Sequence, residues 1–227
     1  TAGSLKDGQD IWGLSKLQSK FELSGGDKIE GYLLIDSPHV SGKALTIMFT
    51  PIRVVCSNTM TLALNSQGKK FRVLHLQAFD DEIIKAAEEA LGISETKMIE
   101  FQEQASFLSK KQAKPIEVEK FIAELFQPNL LINRAKQEVA NDVPFAHEFN
   151  RTAEQVHDAI ALSPGADLQS SKGTWWGALN GVTYVMDHTK RQSERVLGGA
   201  LHSSWLGPNA IIKRRALDLA TDYAKVA

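Results

Sequence analysis

Hydrophobic and polar residues alternate along the first 77 residues with the period of a β-strand. In the longest apolar stretch, Leu45, Ile47 and Phe49 alternate with smaller or polar residues, which is typical of a strand with one buried face. Further strands are predicted at Ile11–Leu17, Phe21–Leu23, Ile29–Ile35 and Lys70–Leu76. The connections are short and rich in turn residues, so we expect an antiparallel meander.

The same apolar stretch carries one charge, Arg53, in its middle. Ile52–Cys56 is predicted to be strand, and Ser57 or Asn58 to cap a short helix ending near Leu64. A charge inside a core strand is costly unless it is paired or faces a ligand. Arg53 is therefore either paired with a carboxylate, on the solvated face of an edge strand, or part of a binding site.

From residue 78 onward the apolar period changes to 3.6, which indicates helices. Helices are predicted to begin at Asp80, Ser94, Pro115, Phe145 and Pro208, with a weaker helix over residues 193–206. Gly92 is expected to end the first of them, and residues 166–173 to form a mobile polar loop. The overall prediction is an α+β fold in which the N-terminal antiparallel β-meander packs against a mostly helical C-terminal two-thirds.

Charge divides the chain into three parts of one predicted domain, residues 1–227. The β-rich part is residues 1–77, the acidic helical part 78–165 and the basic helical part 174–227. Net charge is +3 over residues 1–75, −8 over 76–171 and +4 over 172–227. The total of −1 argues against a generic nucleic-acid binder, but the two basic ends are informative.

Two features of the composition suggest the cellular compartment of the protein. The single cysteine, Cys56, allows no disulfide framework within one chain and indicates a reducing compartment. No apolar stretch reaches the roughly 20 residues of a membrane span. We therefore expect a cytoplasmic protein with no membrane partner.

A late stretch, residues 174–188, carries two different helical faces. Thr174 is the expected cap. One face is a core stripe formed by Trp175, Leu179, Val182 and Met186. The second face mixes aromatic, amide and charged groups at Trp176, Asn180, Tyr184, Asp187 and Arg191. Since a helix surface kept for solubility seldom needs Trp, the second face is a candidate binding surface.

Several blocks of the chain resemble the "phage/plasmid-like protein" family of phages, plasmids and integrative elements, a domain of unknown function. They are Trp12–Leu17, Tyr32–Leu34, Thr50–Met60, Trp176 with Asn180 and Val182–Thr183, Asp187–His188 and Lys213–Leu217. The resemblance implies a role in DNA maintenance. The layout also looks similar to single-strand annealing proteins of the RecT type, which implies a homo-oligomeric ring or filament. Gly181 stands where the family tends to have Ala.

We therefore predict a protein that binds single-stranded DNA and anneals complementary strands in DNA recombination. Such binding needs a basic groove for phosphates and aromatic platforms for bases. The predicted nucleic-acid-binding residues are Arg53, Lys69, Lys70, Arg72, Trp176, Asn180, Tyr184, Arg191, Arg195, Lys213, Arg214 and Arg215. No catalytic residue, metal or cofactor is predicted. The opposing interpretation is that Trp176 belongs to the core and that Lys213–Arg215 is a solvated helical turn.

Two other function classes stay open. The chain could be an interaction or inhibitor protein of phage or plasmid origin that acts through its acidic helices, residues 80–125. It could also be a metal-dependent nuclease built from Asp187, Glu148 and Asp142. The sequence contains no GxxxxGK[ST] phosphate loop and no GxSxG elbow, so these motifs give no support to an enzymatic function.

Overall fold

Residues 1–5, 8–39, 44–60, 71–74, 81–126, 150–189 and 199–227 are described by the structure, a computed structural model. Within them, six strands form one curled antiparallel sheet in the order β1-β2-β3-β4-β5, with β6 also paired to β4. The strands are β1 (Ala2–Leu5), β2 (Asp10–Leu23), β3 (Asp27–Pro38), β4 (Ala44–Arg53), β5 (Asn58–Thr59) and β6 (Phe71–Leu74). The predicted meander is confirmed.

The inner face of the sheet forms one side of the main core. In β3 and β4, Leu33 lies opposite Phe49 and Ile35 opposite Ile47, so the apolar residues of the alternating pattern share this face. Phe49 and Ile47 are buried there. They belong to the same hydrophobic cluster as residues of the helical layer, such as Phe101. The α+β prediction is confirmed.

The helical layer contains six α-helices and one π-helical turn among the described residues. They are α1 (Asp81–Lys110), α2 (Pro115–Phe126), α3 (Arg151–Leu162), α4 (Trp175–Tyr184), the π-turn (Val185–Thr189), α5 (Gly199–Trp205) and α6 (Pro208–Val226). Thr174 caps α4 as predicted, because its Oγ1 accepts a hydrogen bond from Gly177 N at 3.2 Å.

Gly92 does not end a helix, and that prediction is wrong. The chain continues through it as the single 30-residue helix α1. The glycine costs about 1 kcal/mol in a helix. That cost is outweighed because Ala90, Met98 and Phe101 continue the buried stripe on both sides of it.

The predicted strand over Ile52–Cys56 is wrong beyond Arg53 and the helix capped by Ser57 or Asn58 is wrong, whereas the predicted loop over residues 166–173 is confirmed as a loop. After Arg53 the chain turns at residues 54–57 instead of continuing as strand, with Ser57 at a positive φ of 54°, and Asn58 begins β5 instead of a helix. Residues 166–173 form a series of turns that is fixed against the sheet. Ser170 and Ser171 are buried there, and Ser170 N donates to Ser24 O at 3.1 Å.

A smaller apolar cluster lies apart from the main core. Leu34 and Met48 are buried in it beside Trp205 of α5. The rings of Trp12 and Trp205 meet edge to face, with their centroids 5.1 Å apart. Helix α5 is thereby joined to strands β2, β3 and β4.

Candidate functional site

The residues of the predicted binding cleft lie in the interior, in a polar network between the β4–β5 turn and the helical layer. Arg53 ends β4, and Asn58 and Thr59 form β5. The turn between the strands brings Arg53 and Asn58 side by side in register. Their side chains reach Asp27 and helix α4, while Thr59 reaches the π-turn.

Asp27 is the acceptor at the centre of the first part of the network. Its Oδ1 accepts from Arg53 Nε at 2.7 Å, and its Oδ2 accepts from Ser170 Oγ at 2.7 Å and from Trp176 Nε1 at 2.9 Å. The side chains of Arg53 and Asp27 are 3% and 0% exposed. A buried ion pair of this kind is tolerated only when its remaining hydrogen-bonding groups are satisfied.

Arg53 also fixes the loop before α4. Its Nη2 donates to Gly165 O at 2.9 Å and to Ser171 Oγ at 2.7 Å. Of the interpretations open for this residue, pairing with a buried carboxylate is therefore confirmed. Cys56 lies beside the guanidinium, and burial raises the pKa of its thiol while the Arg53 charge opposes that shift. This thiol stays protonated at neutral pH and is a poor nucleophile.

Asn58 connects the sheet to the middle of α4. Its Nδ2 donates to Asn180 O at 3.2 Å and to Thr183 Oγ1 at 2.8 Å. Asn180 in turn donates from Nδ2 to Trp176 O, one turn back, at 2.8 Å. These donors hold the helix against the sheet inside the fold and do not present a polar surface to solvent, while Asn58 Oδ1 is buried without a hydrogen-bond partner among the described residues.

The second part of the network is a buried ion pair between Lys213 of α6 and Asp187 of the π-turn. Lys213 Nζ lies 2.6 Å from Asp187 Oδ1, 2.8 Å from Thr59 Oγ1 and 3.1 Å from Ser204 Oγ. Ser204 also donates to Asp187. Burial lowers the pKa of Lys213, and the Asp187 carboxylate acts in the opposite direction. The amine is neutralised by its carboxylate and enclosed by protein, so the lysine and serine do not form an open nucleophile–base pair.

The structure brings four of the predicted binding residues together but does not expose them. Arg53, Trp176, Asn180 and Lys213 are 3%, 2%, 5% and 0% exposed. The expectation that they line an open groove is wrong, because each has a buried partner from another element. Trp176 belongs to the core beside Trp175 instead of presenting its ring to a base.

The remaining predicted residues are more scattered. Tyr184 is half-buried, and its ring lies 4.8 Å from that of His188. Arg214 and Arg215 are exposed on α6, and Arg215 donates to Glu124 O at 3.1 Å. Arg72 pairs with Thr46 in the sheet register. Lys69, Lys70, Arg191 and Arg195 lie outside the described residues.

Sequence reasoning missed Asp27, Ser170 and Ser204 as members of the network. Asp27 follows two glycines in a pattern typical of a turn, and the serines lie in polar stretches. The one available signal was Arg53 itself, since a cation in an apolar run requires a carboxylate.

Of the three carboxylates named for the nuclease alternative, the structure describes one, Asp187. Asp187 is already held by Lys213 and Thr59. Glu148 and Asp142 lie outside the described residues. In the part of the chain that the structure does describe, no group of three or more His, Cys, Asp or Glu side chains could hold a metal ion.

An open basic surface lies on the solvent face of β2 and β3. We call it the lysine face and define it by Lys16, Lys20, Lys28 and Tyr32. Antiparallel register places Lys16 opposite Tyr32, and Lys20 and Lys28 opposite glutamates. The three lysines are exposed, Tyr32 is half-buried between them, and one glutamate, Glu30, pairs with Lys16 at 2.7 Å.

The chain is thus an α+β protein with one buried ion pair in its curled sheet and one in its helical layer, and hydrogen bonds from both pairs join the two layers. It belongs to the family described as a domain of unknown function, DUF932, whose model matches residues 1–218. No curated protein and no solved structure matches it. Its resemblance to annealing proteins stays a prediction. Among the described helices, none combines the length and apolar character needed to cross a membrane.

Proposed function

We propose that the protein binds single-stranded DNA through the lysine face and promotes annealing of complementary strands in the cytoplasm. The observation that carries the proposal is the exposure of Lys16, Lys20 and Lys28 together on one side of a long β-hairpin. Phosphates are bound by cations that are free to approach them. The buried Arg53 and Lys213 do not meet that condition. The lysine face does, because its lysines are exposed and the surface ion pair of Lys16 with Glu30 can be exchanged for a phosphate contact.

The shape and chemistry of the surface support the same ligand. Two adjacent strands of 14 and 12 residues give a continuous platform, and Tyr32 adds an aromatic ring among the cations. Two glutamates, Glu22 and Glu30, lie on the same face and lower its net charge to +1. The surface therefore fits a flexible single strand, which can follow the lysines, better than a rigid duplex with its denser charge.

Charge reversal on the lysine face tests the proposal. The triple variant K16E/K20E/K28E should lose most of its affinity for a labelled oligonucleotide. Each phosphate contact contributes about 0.7 to the slope of log K against log salt for a single strand, so losing three contacts should lower the slope by about 2. Fluorescence anisotropy with single-stranded DNA, duplex DNA and RNA across salt concentrations measures both effects.

The matched control is K110E/K114E/K120E, which makes the same charge change on α1, α2 and the connection between them. It should keep most of the wild-type affinity. Equal losses in both triples, or affinity that does not change with salt, would contradict the lysine face as the binding site. Annealing is measured with two complementary labelled strands, whose lengths must stay unchanged. Magnesium-dependent shortening would support the nuclease alternative instead.

A further inference from the structure

Helix α1 carries an outward face that combines acidic and apolar side chains, which we call the acidic stripe. It is formed by Glu88, Leu91, Glu95, Ile99 and Glu103. These residues follow one another at intervals of three or four, so they share one side of the helix. All five are exposed, and Leu91 and Ile99 are 45% and 59% exposed.

The surroundings of the stripe are open to solvent. A Cβ built on Gly92, on the same side of α1, would meet no atom of the described residues within 4 Å. The stripe runs from residue 88 to residue 103, which is about 22 Å of helix. Large apolar side chains that alternate with like charges on an exposed helix are typical of a surface that binds a partner of opposite charge.

A surface of complementary composition lies on the same chain at the start of α6. We call it the basic turn and define it by Ile211, Arg214 and Arg215. Ile211 is 70% exposed and both arginines are exposed beside it. One face thus offers glutamates around apolar residues. The other offers arginines beside an apolar residue, with Asp218 near Arg214 and with Arg215 donating to Glu124 O.

We propose that these two surfaces bind each other between copies, so that the acidic stripe of one molecule contacts the basic turn of the next. The contact buries Leu91 or Ile99 against Ile211 and pairs Glu95 with Arg214. Because the two surfaces differ, the contact is heterologous unless a two-fold axis places each opposite the other. The lysine face takes no part in it, so the proposal does not depend on nucleic-acid binding.

Charge-swapped variants test this contact without any oligonucleotide. E95R and R214E should each lower the average mass measured by light scattering toward the 25.0 kDa of a single chain. An equimolar mixture of the two should recover the wild-type mass. In the mixture, the arginine introduced in one variant faces the glutamate introduced in the other, and the native pair forms at the alternate contact.

The control E154R makes the same charge change on the exposed side of α3 and should associate like the wild type. The recovery in the mixture also excludes misfolding as the cause of the single-variant result. Overturning results are a wild-type protein that stays at 25.0 kDa at all concentrations, or single variants whose association the mixture does not restore. If the protein is strictly monomeric, the acidic stripe would be expected to bind a different protein with a basic surface.

Discussion

At the scale of single residues, Asp27 determines the role of the stretch around Arg53. Its two carboxylate oxygens accept hydrogen bonds from three buried side chains, of which Arg53 supplies the compensating charge. Removing one member of such a group leaves other polar atoms without partners in a dry interior. The stretch around Arg53 is therefore best explained as a requirement of folding, not of ligand contact.

The two adjacent tryptophans of α4 provide a matched pair that tests this role. W176F removes the donor to Asp27 and should lower the free energy of unfolding by about 2–3 kcal/mol, since hydrogen bonds to charged groups are worth about 1.5–3 kcal/mol. W175F should cost less, because Trp175 Nε1 is buried without a hydrogen-bond partner among the described residues. Urea unfolding of both variants gives the comparison, and equal losses would contradict the role of Asp27.

Tyr223 should ionise at a higher pH than a free tyrosine. Burial, followed by the effect of Glu124, raises its pKa to about 12. A group whose folded-state pKa lies above its unfolded value stabilises the fold below the unfolded pKa, near 10, and this contribution is lost as pH rises toward 12. Absorbance of tyrosinate should show one late step that Y223F removes, and a Y223F titration identical to wild type at high pH would contradict it.

At the scale of elements, the close contact between α3 and α4 is set by Gly181. A Cβ built there would lie against Ile160 Cγ1 and 3.0 Å from the backbone nitrogen of Ile160. In this chain the two helices approach closely enough that a methyl group would force them apart.

G181A should therefore destabilise the protein by about 1–3 kcal/mol through overpacking. The control G92A places the same methyl group on α1, where no atom in the described part of the chain lies within 4 Å of it. That change should stabilise by about 0.5–1 kcal/mol because Gly is a poor helix former. Thermal unfolding of the two variants gives the comparison, and a G181A protein as stable as the wild type would contradict the close packing.

The elements themselves were largely predictable, because their signals are local. The alternation of apolar and polar residues indicated β2, β3 and β4. Helix starts were predicted correctly at Pro115, Thr174 and Pro208. The helical face of Trp176 and Asn180 was predicted correctly as a face. Its burial was predicted only as the opposing interpretation of Trp176, because the partner Asp27 lies 149 residues away in sequence and periodicity carries no information about such pairings.

At the scale of the whole molecule, the polar network and the charged surfaces have separate tasks. The buried ion pair Arg53–Asp27 lies within the sheet, and Lys213–Asp187 lies within the helical layer. Hydrogen bonds from Trp176 to Asp27 and from Lys213 to Thr59 join the two layers. The exposed charges divide into the lysine face on the sheet and the acidic stripe on α1. On this account, the interior fixes the fold while the two faces contact nucleic acid and a second copy of the chain.

The most direct measurement is the affinity for a labelled single-stranded oligonucleotide, determined side by side for K16E/K20E/K28E and for W176F under conditions where both are folded. We expect the lysine triple variant to lose most of its binding and its salt dependence, and W176F to bind like the wild type. Loss of binding in W176F, with wild-type affinity in the lysine triple variant, would contradict the account.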